Sequence, residues 1–566
     1  MTGVRTIDLD DLGPVRRAAE EAIERLVDGD VVDRIWARDH TVWQPDPEEI
    51  ENRLGWLDAP AAPPEPVDAA ARLLAEAREE GMDRSLLLGM GGSSLAPEVF
   101  ARVFGPTAEG LDLRILDSTD PAAVRALLDW ADPRRTLVVV SSKSGTTVET
   151  LSLFRAFWTR AVEELGAETG SRFAAVTDPG TPLEDTATRL GFRRAFRGDP
   201  EVGGRYSALT WFGLAPADLI GVDVDRLLER ARSAAEACLA SDPVENPGAS
   251  LGAVLGGAAA AGRDKLTLVL SPAIEPFGAW IEQLIAESTG KEGRGILPLR
   301  ETRPAAPEAY GEDRLFVHLR LEGDTRHDDG MAALERTGHP VVHRDLAGRY
   351  DLGREIFAWE FATAVAGHLL GIHPFDQPNV EAAKRRAGER IEAFREAGSL
   401  DEPEPDARDG DLAIWAGFPA DGLEAAIEGL AARTVADGYV AVQAFLPPTA
   451  EIETGLERLT ESLRARTGLA VTAAYGPRYL HSTGQLHKGD AGDGVFLMLT
   501  APATADVPIP DQPGSDSASL SFGVLETAQA LGDRQALRDA GRVVVRVDLG
   551  RRPVEGLRRL AAAAAG

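Results

Sequence analysis

Lysine is the charged residue type that this chain uses least. Five lysines stand against fifty-five arginines in 566 residues. Arginine cannot replace lysine where a compact or deprotonatable cation is needed, so the positions of the remaining lysines are informative. Four of the five lie in strings rich in Gly, Ser, Thr and Gln, namely Lys143, Lys291, Lys384 and Lys488. Chance explains any one such placement, but four together indicate functional segments.

Cysteine occurs once, at Cys238. One thiol excludes an internal disulfide framework and a cysteine-based metal cluster, and its Ala-rich surroundings predict a small core residue in a helix. No run of about 18 apolar residues occurs, so no membrane span is predicted. The start, Met1–Asp10, lacks the basic and apolar regions of a signal peptide. We therefore expect a soluble, cytoplasmic globular protein.

Basic residues are fewer than acidic ones, and the formal net charge is −31. Long-range repulsion argues against nucleic acid or an anionic membrane surface as a partner. A small phosphorylated ligand remains compatible with this acidity where backbone amides and a few cations outweigh the global field.

Short apolar runs alternate with helical patterns, which predicts an α/β protein built from two doubly wound domains with parallel sheets. We expect a helical N-terminal arm over 1–60, carrying Trp36, Trp43 and Trp56, and a stiff linker at Ala59–Pro66. The first domain is predicted over 61–242. The second is predicted over 243–566 and includes a C-terminal extension. The runs that predict strands are Ser85–Leu88, Leu113–Leu116, Thr136–Val140, Phe173–Val176, Leu266–Leu270, Leu315–Leu319, Pro340–Val342, Leu412–Trp415, Tyr439–Leu446, Val495–Thr500 and Val543–Val547.

A loop rich in hydroxyl groups joins the run Thr136–Val140 to a helical pattern. Such a junction presents backbone N–H groups and the positive end of a helix dipole to an anion. A bare capping box from Thr146 to Glu149 is the alternative, but it leaves the other hydroxyls unexplained. A glycine turn at Gly89–Ser93 would lie beside the same anion, although it lacks the third glycine of a dinucleotide motif. The residues of this predicted anion cradle are Gly92, Ser93, Ser142, Lys143, Ser144, Gly145, Thr146 and Thr147.

The segment Glu275–Lys291 predicts an amphipathic helix, because apolar residues recur at intervals of three and four. Glu287 falls on the apolar side of that helix, where a partly desolvated carboxylate suits a general base. Gln283 lies one turn earlier and would reach the same ligand. The alternative is a helix-end glutamate that is bonded to Ser288 or Lys291.

Three further strings carry polar candidates. Arg205 follows two glycines in Gly203–Ser207, where it would offset developing negative charge or merely form a turn. Lys384 lies two turns into a helix that starts after Gln377. His481 and His487 both occur in Tyr475–Lys488, but no nearby cysteine or carboxylate completes a metal site, so no metal is expected.

Five strings in order, over about 85 to 385, resemble signatures of the glucose-6-phosphate isomerase family. They are Gly89–Ser93, Ser142–Thr150, Gly203–Ser207, Gln283–Lys291 and Phe375–Lys384. The resemblance implies two sugar-isomerase (SIS-type) domains and a phosphate site at Ser93, Ser142, Ser144, Thr146, Thr147 and the Lys143 backbone. It also implies that Arg205 stabilises an enediolate, that Gln283 contacts substrate, that Glu287 moves the proton and that Lys384 assists ring opening.

The chain departs from the family pattern at two places. The family's histidine string falls between the glutamate and lysine motifs, whereas here Leu480–Gln485, with His481, follows Lys384 by about a hundred residues. That order resembles the isomerase half of bifunctional transaldolase/glucose-6-phosphate isomerases. Asn379 also stands where the family has a small residue.

The resemblance implies a cofactor-free, metal-independent isomerase that interconverts glucose 6-phosphate and fructose 6-phosphate, as a homodimer or other small oligomer. A phosphomannose or dual-specificity isomerase is the alternative within enzymes. A non-catalytic SIS-type sugar-phosphate sensor is the alternative outside them, and it would keep the cradle without needing Glu287, Lys384 and His481.

Overall fold

The computed structural model describes residue 7, residues 9–61 and residues 68–566. Most of the segment Met1–Asp10 and most of the predicted linker Ala59–Pro66 lie outside the described residues. The helices are α1 Arg16–Asp28, α2 Val31–Trp36, α3 Asp68–Glu79, α4 Leu95–Phe104, α5 Pro121–Trp130, α6 Val148–Leu165, α7 Pro182–Arg189, α8 Trp211–Leu219, α9 Val224–Ala237, α10 Pro247–Ala260, α11 Phe277–Thr289, α12 Asp328–Arg336, α13 Leu352–Leu370, α14 Pro378–Ala397, α15 Leu423–Ala431, α16 Ala450–Thr467, α17 Gly484–Gly489, α18 Phe522–Asp539 and α19 Pro553–Ala565.

The strands are β1 Arg84–Leu88, β2 Asp112–Leu116, β3 Thr136–Ser141, β4 Phe173–Thr177, β5 Arg194–Arg197, β6 Lys265–Leu270, β7 Leu297–Glu301, β8 Arg314–Leu321, β9 Val341–Leu346, β10 Ala407–Asp409, β11 Leu412–Trp415, β12 Tyr439–Phe445, β13 Ala470–Tyr475, β14 Gly494–Thr500, β15 Pro508–Ile509, β16 Leu520–Ser521 and β17 Val543–Asp548. Every apolar run that predicts a strand overlaps one of them. Six strands lie outside the predicted runs, because each is short or is rich in Ala, Pro or polar residues: β5, β7, β10, β13, β15 and β16.

The first sheet is entirely parallel, with the order β2-β1-β3-β4-β5. This order is typical of doubly wound folds. Leu87 belongs to the core on one face, and Leu86 and Leu88 belong to the core on the other, so helices cover both faces. The predicted doubly wound domain is confirmed in this part of the chain.

The second sheet is also parallel, with the order β7-β6-β8-β9. Leu268 faces the core that is shared with the first sheet's helices, and Val269 faces a smaller cluster on the opposite side. Together the two parallel sheets carry the predicted α/β fold class. The boundaries at residues 60 and 242 stay predictions.

A third sheet lies within the region 243–566, which was predicted as the second domain with its C-terminal extension. Its order is β10-β11-β17-β14-β12-β13, with β17, β14, β12 and β13 parallel and β10 and β11 antiparallel at one edge. Val442 and Ala441 face different core clusters, so this sheet is buried on both faces like the other two. Residues 407–548 therefore form a third α/β unit, which apolar periodicity alone could not separate from the second.

The predicted helical N-terminal region is present, and its helix α1 packs against α10. Trp43 and Trp56 are buried, and the Trp36 indole donates a hydrogen bond to the carbonyl of Cys238 at 2.7 Å. The Trp56 ring centroid lies 5.4 Å from that of Tyr206. Cys238 is buried, and burial raises the pKa of its thiol to about 12, in line with an inert core residue. Among the described helices, none has the length and apolarity that a membrane crossing needs.

Candidate active site

Glu287 lies near the C-terminal end of α11, and its side chain is held by two donors. Arg205 Nη1 donates to Oε1 at 3.0 Å, and Gln283 Nε2 donates to Oε2 at 3.0 Å. The alternative partners are engaged elsewhere, since Ser288 Oγ accepts from Arg205 Nε and the Lys291 ammonium binds a different turn. About 14% of the Glu287 side chain is exposed, which leaves the carboxylate able to meet a ligand.

The Arg205 guanidinium is buried, and all five of its N–H groups are given to protein acceptors. These acceptors are Ser288 Oγ at 2.7 Å, Glu287 Oε1 at 3.0 Å, Gln377 Oε1 at 2.9 Å and the carbonyls of Pro374 at 2.7 Å and Asp376 at 3.0 Å. Arg205 thus ties the end of α11 to the turn that precedes α14. A guanidinium saturated in this way acts on a ligand through its charge and through the carboxylate that it orients.

Lys291 secures the same turn from the other side. Its ammonium donates to the Asp376 carbonyl at 2.6 Å and to Asp376 Oδ1 at 2.7 Å. Burial lowers the pKa of Lys291 to about 8, and the nearby charge of Arg205 adds to the effect. Lys291, four positions after the candidate base Glu287, therefore binds Asp376 and has a structural role.

His481 reaches the same site although it lies late in the chain. It ends a short 3₁₀ turn after β13, and its Nε2 lies 2.9 Å from Glu149 Oε1. Its carbonyl accepts from Gln283 Nε2 at 2.8 Å, and the same amide nitrogen binds Glu287. Gly91 has φ +55, and a Cβ there would lie 3.0 Å from both Gln283 Nε2 and the His481 carbonyl oxygen, so a larger residue would crowd this junction.

Glu149 is the functional candidate that sequence reasoning missed. Its Oε1 accepts from His481 Nε2 and, at 2.7 Å, from Gln529 Nε2, so it does not form the capping box that was the alternative interpretation. Burial opposes its ionisation, but the charge and hydrogen bond of His481 outweigh burial and hold the pKa of Glu149 below its usual range. The charge of Lys384 acts in the same direction. The buried carboxylate therefore pairs with a histidine 332 positions away.

The hydroxyl-rich loop lies between β3 and the N-terminus of α6. Ser142 Oγ lies 3.0 Å from Thr147 Oγ1, and Ser144 Oγ lies 2.9 Å from Thr146 Oγ1. Gly145 adopts φ +66, and a Cβ there would lie 2.8 Å from a neighbouring side chain. The loop therefore concentrates four hydroxyls and the first amides of an 18-residue helix, which is the arrangement expected of an anion cradle.

The Lys143 side chain turns away from the hydroxyls of this loop. Its ammonium forms an ion pair with Asp178 Oδ2, and its carbonyl accepts from the Asp178 amide at 3.2 Å. The phosphate-binding role that the resemblance implies for the Lys143 backbone stays a prediction.

The glycine turn after β1 meets the Arg205 turn backbone to backbone. A Cβ at Gly92 would lie 1.9 Å from the carbonyl oxygen of Gly204, so only glycine allows this approach. The contact brings Ser93, which is buried, beside the turn that carries Arg205.

Lys384 lies on α14 and is half exposed. Its ammonium pairs with Glu381 Oε1 at 2.7 Å, one helical turn earlier. The structure does not record a contact between Lys384 and Glu287 among the described residues, but its charge reaches Glu149. At the start of the same helix, Asn379 accepts from Gln485 Nε2 at 2.7 Å, and its amide donates to Gln485 Oε1 at 2.9 Å. The departure at Asn379 therefore serves to bind the displaced histidine string.

His487, the second histidine of that string, is a core residue. Its ring packs against Tyr479 and Phe496, and burial lowers its pKa well below the usual range. Over the part of the chain that the structure describes, no group of three or more His, Cys, Asp and Glu side chains is arranged to hold a metal ion.

A model of the phosphoglucose isomerase family matches residues 79–297. The glucose-6-phosphate isomerase of Rubrobacter xylanophilus is 31% identical over 393 residues, which cover 59% of this chain and 88% of that protein. The chain belongs to the glucose-6-phosphate isomerase family. The protein of the same name from Symbiobacterium thermophilum is 30% identical, over 58% of this chain and 85% of that protein.

Two solved structures share the fold. A hypothetical protein from Thermus thermophilus has a TM-score of 0.59 and 27% identity, and the match covers 69% of this chain and 99% of that one. A glucose-6-phosphate isomerase from Chlamydia trachomatis has a TM-score of 0.57 and 19% identity, over 67% of this chain and 86% of that one. These structures support the fold, and the sequence relatives confirm the family resemblance that the five sequence strings indicated.

Proposed function

We propose that this protein is an aldose–ketose isomerase that interconverts glucose 6-phosphate and fructose 6-phosphate. The observation that carries the proposal is a continuous hydrogen-bonded chain of ionisable and amide groups. It runs from Arg205 to Glu287, through Gln283 to the His481 backbone, and from the His481 ring to Glu149. Family membership supplies the substrate class.

The substrate's phosphate would bind at the hydroxyl-rich loop. Ser142, Ser144, Thr146 and Thr147 provide O–H donors, and the first amides of α6 provide N–H donors to a dianion. Ser93 and the backbone of the Gly92 turn would complete the cradle. This local set of donors would overcome the net charge of −31.

Ring opening would use His481. The imidazolium would give a proton to the ring oxygen as the C1–O5 bond breaks, and solvent water would take the proton of the C1 hydroxyl, so that C1 becomes the aldehyde carbon. Glu149 binds Nε2, so Nδ1 is the nitrogen left to face the sugar. The anionic partner stabilises the imidazolium and fixes its ring plane. Lys384, whose charge reaches Glu149, would assist this step.

Glu287 would then move the proton. Its carboxylate would take the C2 proton of the open aldose, leaving a cis-enediolate. The hydroxyl proton would then pass from O2 to O1, and Glu287 would return its own proton at C1 to give the ketose. Gln283 and Arg205 would keep the two carboxylate oxygens in a fixed orientation. The buried charge of Arg205 would offset the charge of the enediolate.

The connected set of groups favours catalysis over simple sugar-phosphate sensing, because a sensor needs the cradle but not the paired His481 and Glu149. Turnover on mannose 6-phosphate would distinguish a dual-specificity isomerase. We also propose metal independence, a cytoplasmic location and a homodimer or other small oligomer, which activity in chelator, cell fractionation and native mass spectrometry would test.

The central test is Glu287→Gln in a coupled assay that forms glucose 6-phosphate from fructose 6-phosphate with chelator present. Loss of a general base costs about 10²–10⁴-fold in rate, so we expect a fall in kcat of that order with binding of fructose 6-phosphate retained. Deuterium from solvent should enter C2 of the product in the wild type only. Glu282→Gln is a matched control, because Glu282 lies on the same helix and binds Arg300 at 3.0 Å. Near wild-type exchange in Glu287→Gln would contradict the proposed base.

A further inference from the structure

Gln529, in the third α/β unit, contacts the candidate active site at Glu149. Its Nε2 donates to Glu149 Oε1 at 2.7 Å, and its Oε1 accepts from Thr119 Oγ1 at 2.9 Å. Gln529, Thr119 and Glu149 are all buried, so water does not compete freely for these bonds. No motif of the sequence indicated Gln529, because its partner lies 380 positions earlier.

The two bonds fix the orientation of the amide. If the amide were turned over, its oxygen would face the Glu149 carboxylate, and two acceptors would oppose each other. The Glu149 carboxylate only accepts, so it selects the amide nitrogen, and the Thr119 hydroxyl then donates to the amide oxygen. Gln529 is therefore held as a donor to the same oxygen that accepts from His481.

The helix that carries Gln529 also holds the backbone of the histidine segment. One turn along α18, buried Asp533 accepts from the Tyr479 hydroxyl at 2.6 Å and pairs with Lys488 Nζ at 2.5 Å. Tyr479 and Lys488 flank His481 in the chain. The same face of α18 thus fixes both the carboxylate partner of His481 and the segment on which His481 lies.

We propose that Gln529 is a positioning residue for ring opening, which acts on His481 through Glu149. This inference rests on the proposed isomerase function. The N–H of Gln529 holds the Glu149 carboxylate in one rotamer and withdraws negative charge from Oε1. Removing it would misplace the carboxylate and make it more basic toward the His481 ring.

The test measures exchange between the anomers of glucose 6-phosphate by NMR, which reports ring opening without C2 proton transfer. The Glu287→Gln background blocks isomerisation, so the exchange can be followed alone. In that background Gln529→Leu should slow anomer exchange about ten-fold, the size expected for one hydrogen bond to a charged group. The limb of the pH profile on which exchange falls with rising pH should move to higher pH.

Gln535→Leu is the matched control, since Gln535 lies on the exposed side of the same helix and binds Asp539 at 2.7 Å. Thr119→Val, which removes only the hydroxyl that donates to the Gln529 amide oxygen, should slow exchange by a smaller factor. A purely structural role would lower the melting temperature while exchange per folded molecule and the pH limb stay at wild-type values, and that result overturns the proposal. Absence of anomer exchange in the otherwise wild-type protein would overturn the proposed function itself, which distinguishes the two failures.

Discussion

Glu149→Gln separates the charge of Glu149 from its shape. Both hydrogen bonds to Glu149 fall on one oxygen, Oε1, and a glutamine carbonyl oxygen in that place can accept both. The substitution therefore keeps the contacts of His481 and Gln529 and removes the negative charge. Because the charge and hydrogen bond of His481 hold the pKa of Glu149 below its usual range, the Glu149 carboxylate is expected to be ionised in the native state.

The expected magnitude follows from the hydrogen bond that is weakened. A bond to a charged group contributes about 1.5–3 kcal/mol, and a neutral bond about 0.5–1.5 kcal/mol. Losing the charge should therefore cost about 1–2 kcal/mol of imidazolium stabilisation, which is about 5- to 30-fold in the rate of ring opening. The limb on which exchange falls with rising pH should move to lower pH, the opposite direction to Gln529→Leu.

Two assays would measure the slower ring opening and the shifted pH limb. They are anomer exchange by NMR and isomerisation by the coupled assay, each over about pH 5.5 to 9.5. Glu163→Gln is the control, because Glu163 is exposed on the same helix, α6. Substrate KM should change little, since Glu149 binds no phosphate in the proposed arrangement. If exchange and its pH limb are unchanged in Glu149→Gln, the His481–Glu149 pair does not perform ring opening.

Three further predictions concern binding, packing and stability. Ser144→Ala with Thr147→Ala removes two donors to the substrate phosphate, each worth about 1.5–3 kcal/mol, and should raise KM with a smaller loss in kcat; an unchanged KM removes the loop from the binding site. Gly92→Ala places a Cβ 1.9 Å from a facing carbonyl oxygen and should lower kcat/KM and the melting temperature together, whereas unaltered values would contradict the close approach. Burial raises the pKa of Asp218 to about 7, so its contribution to stability is present below about pH 4 and is lost as the pH rises through 7. Asp218→Asn should then raise the free energy of unfolding by about 2–4 kcal/mol at pH 8 and leave it nearly unchanged near pH 4. Asp129→Asn is the control, because Asp129 is also the next-to-last residue of its helix but is exposed, and it should leave the free energy of unfolding unchanged at pH 8.

The parts of the site that could be predicted from sequence are those that local patterns specify. The apolar stripe of α11 places Glu287 and Gln283 on one side of a single helix, so their proximity follows from helical periodicity. The strand–loop–helix order around Ser142–Thr147 likewise specifies an anion cradle, because a parallel strand and the next helix meet there. In both places the residues that act together are close neighbours in the sequence, within about two helical turns of chain length.

The parts that could not be predicted depend on contacts between distant segments. Glu149 has the local appearance of a capping residue, and only the folded chain places its carboxylate against His481 and Gln529. Arg205 has the local appearance of a turn residue, and its five acceptors lie between 82 and 172 positions away in sequence. No periodicity of one segment carries information about such pairs.

The third unit explains how a histidine late in the chain joins a site whose other groups come earlier. Its helix α18 packs against α14, and its hairpin β15–β16 packs against α6, so the unit touches the helices that carry Lys384 and Glu149. The core on one face of the first sheet includes Ile509 and Phe522 from this unit. Apolar burial of that kind is the main stabilising contribution to folding, and here it is inseparable from the placement of His481 and Gln529. His481 and Gln529 both reach Glu149 from positions beyond 407, so the proposed ring-opening half of the site depends on the third unit. The predicted cradle and Glu287 come from earlier elements, the loop between β3 and α6 and the helix α11.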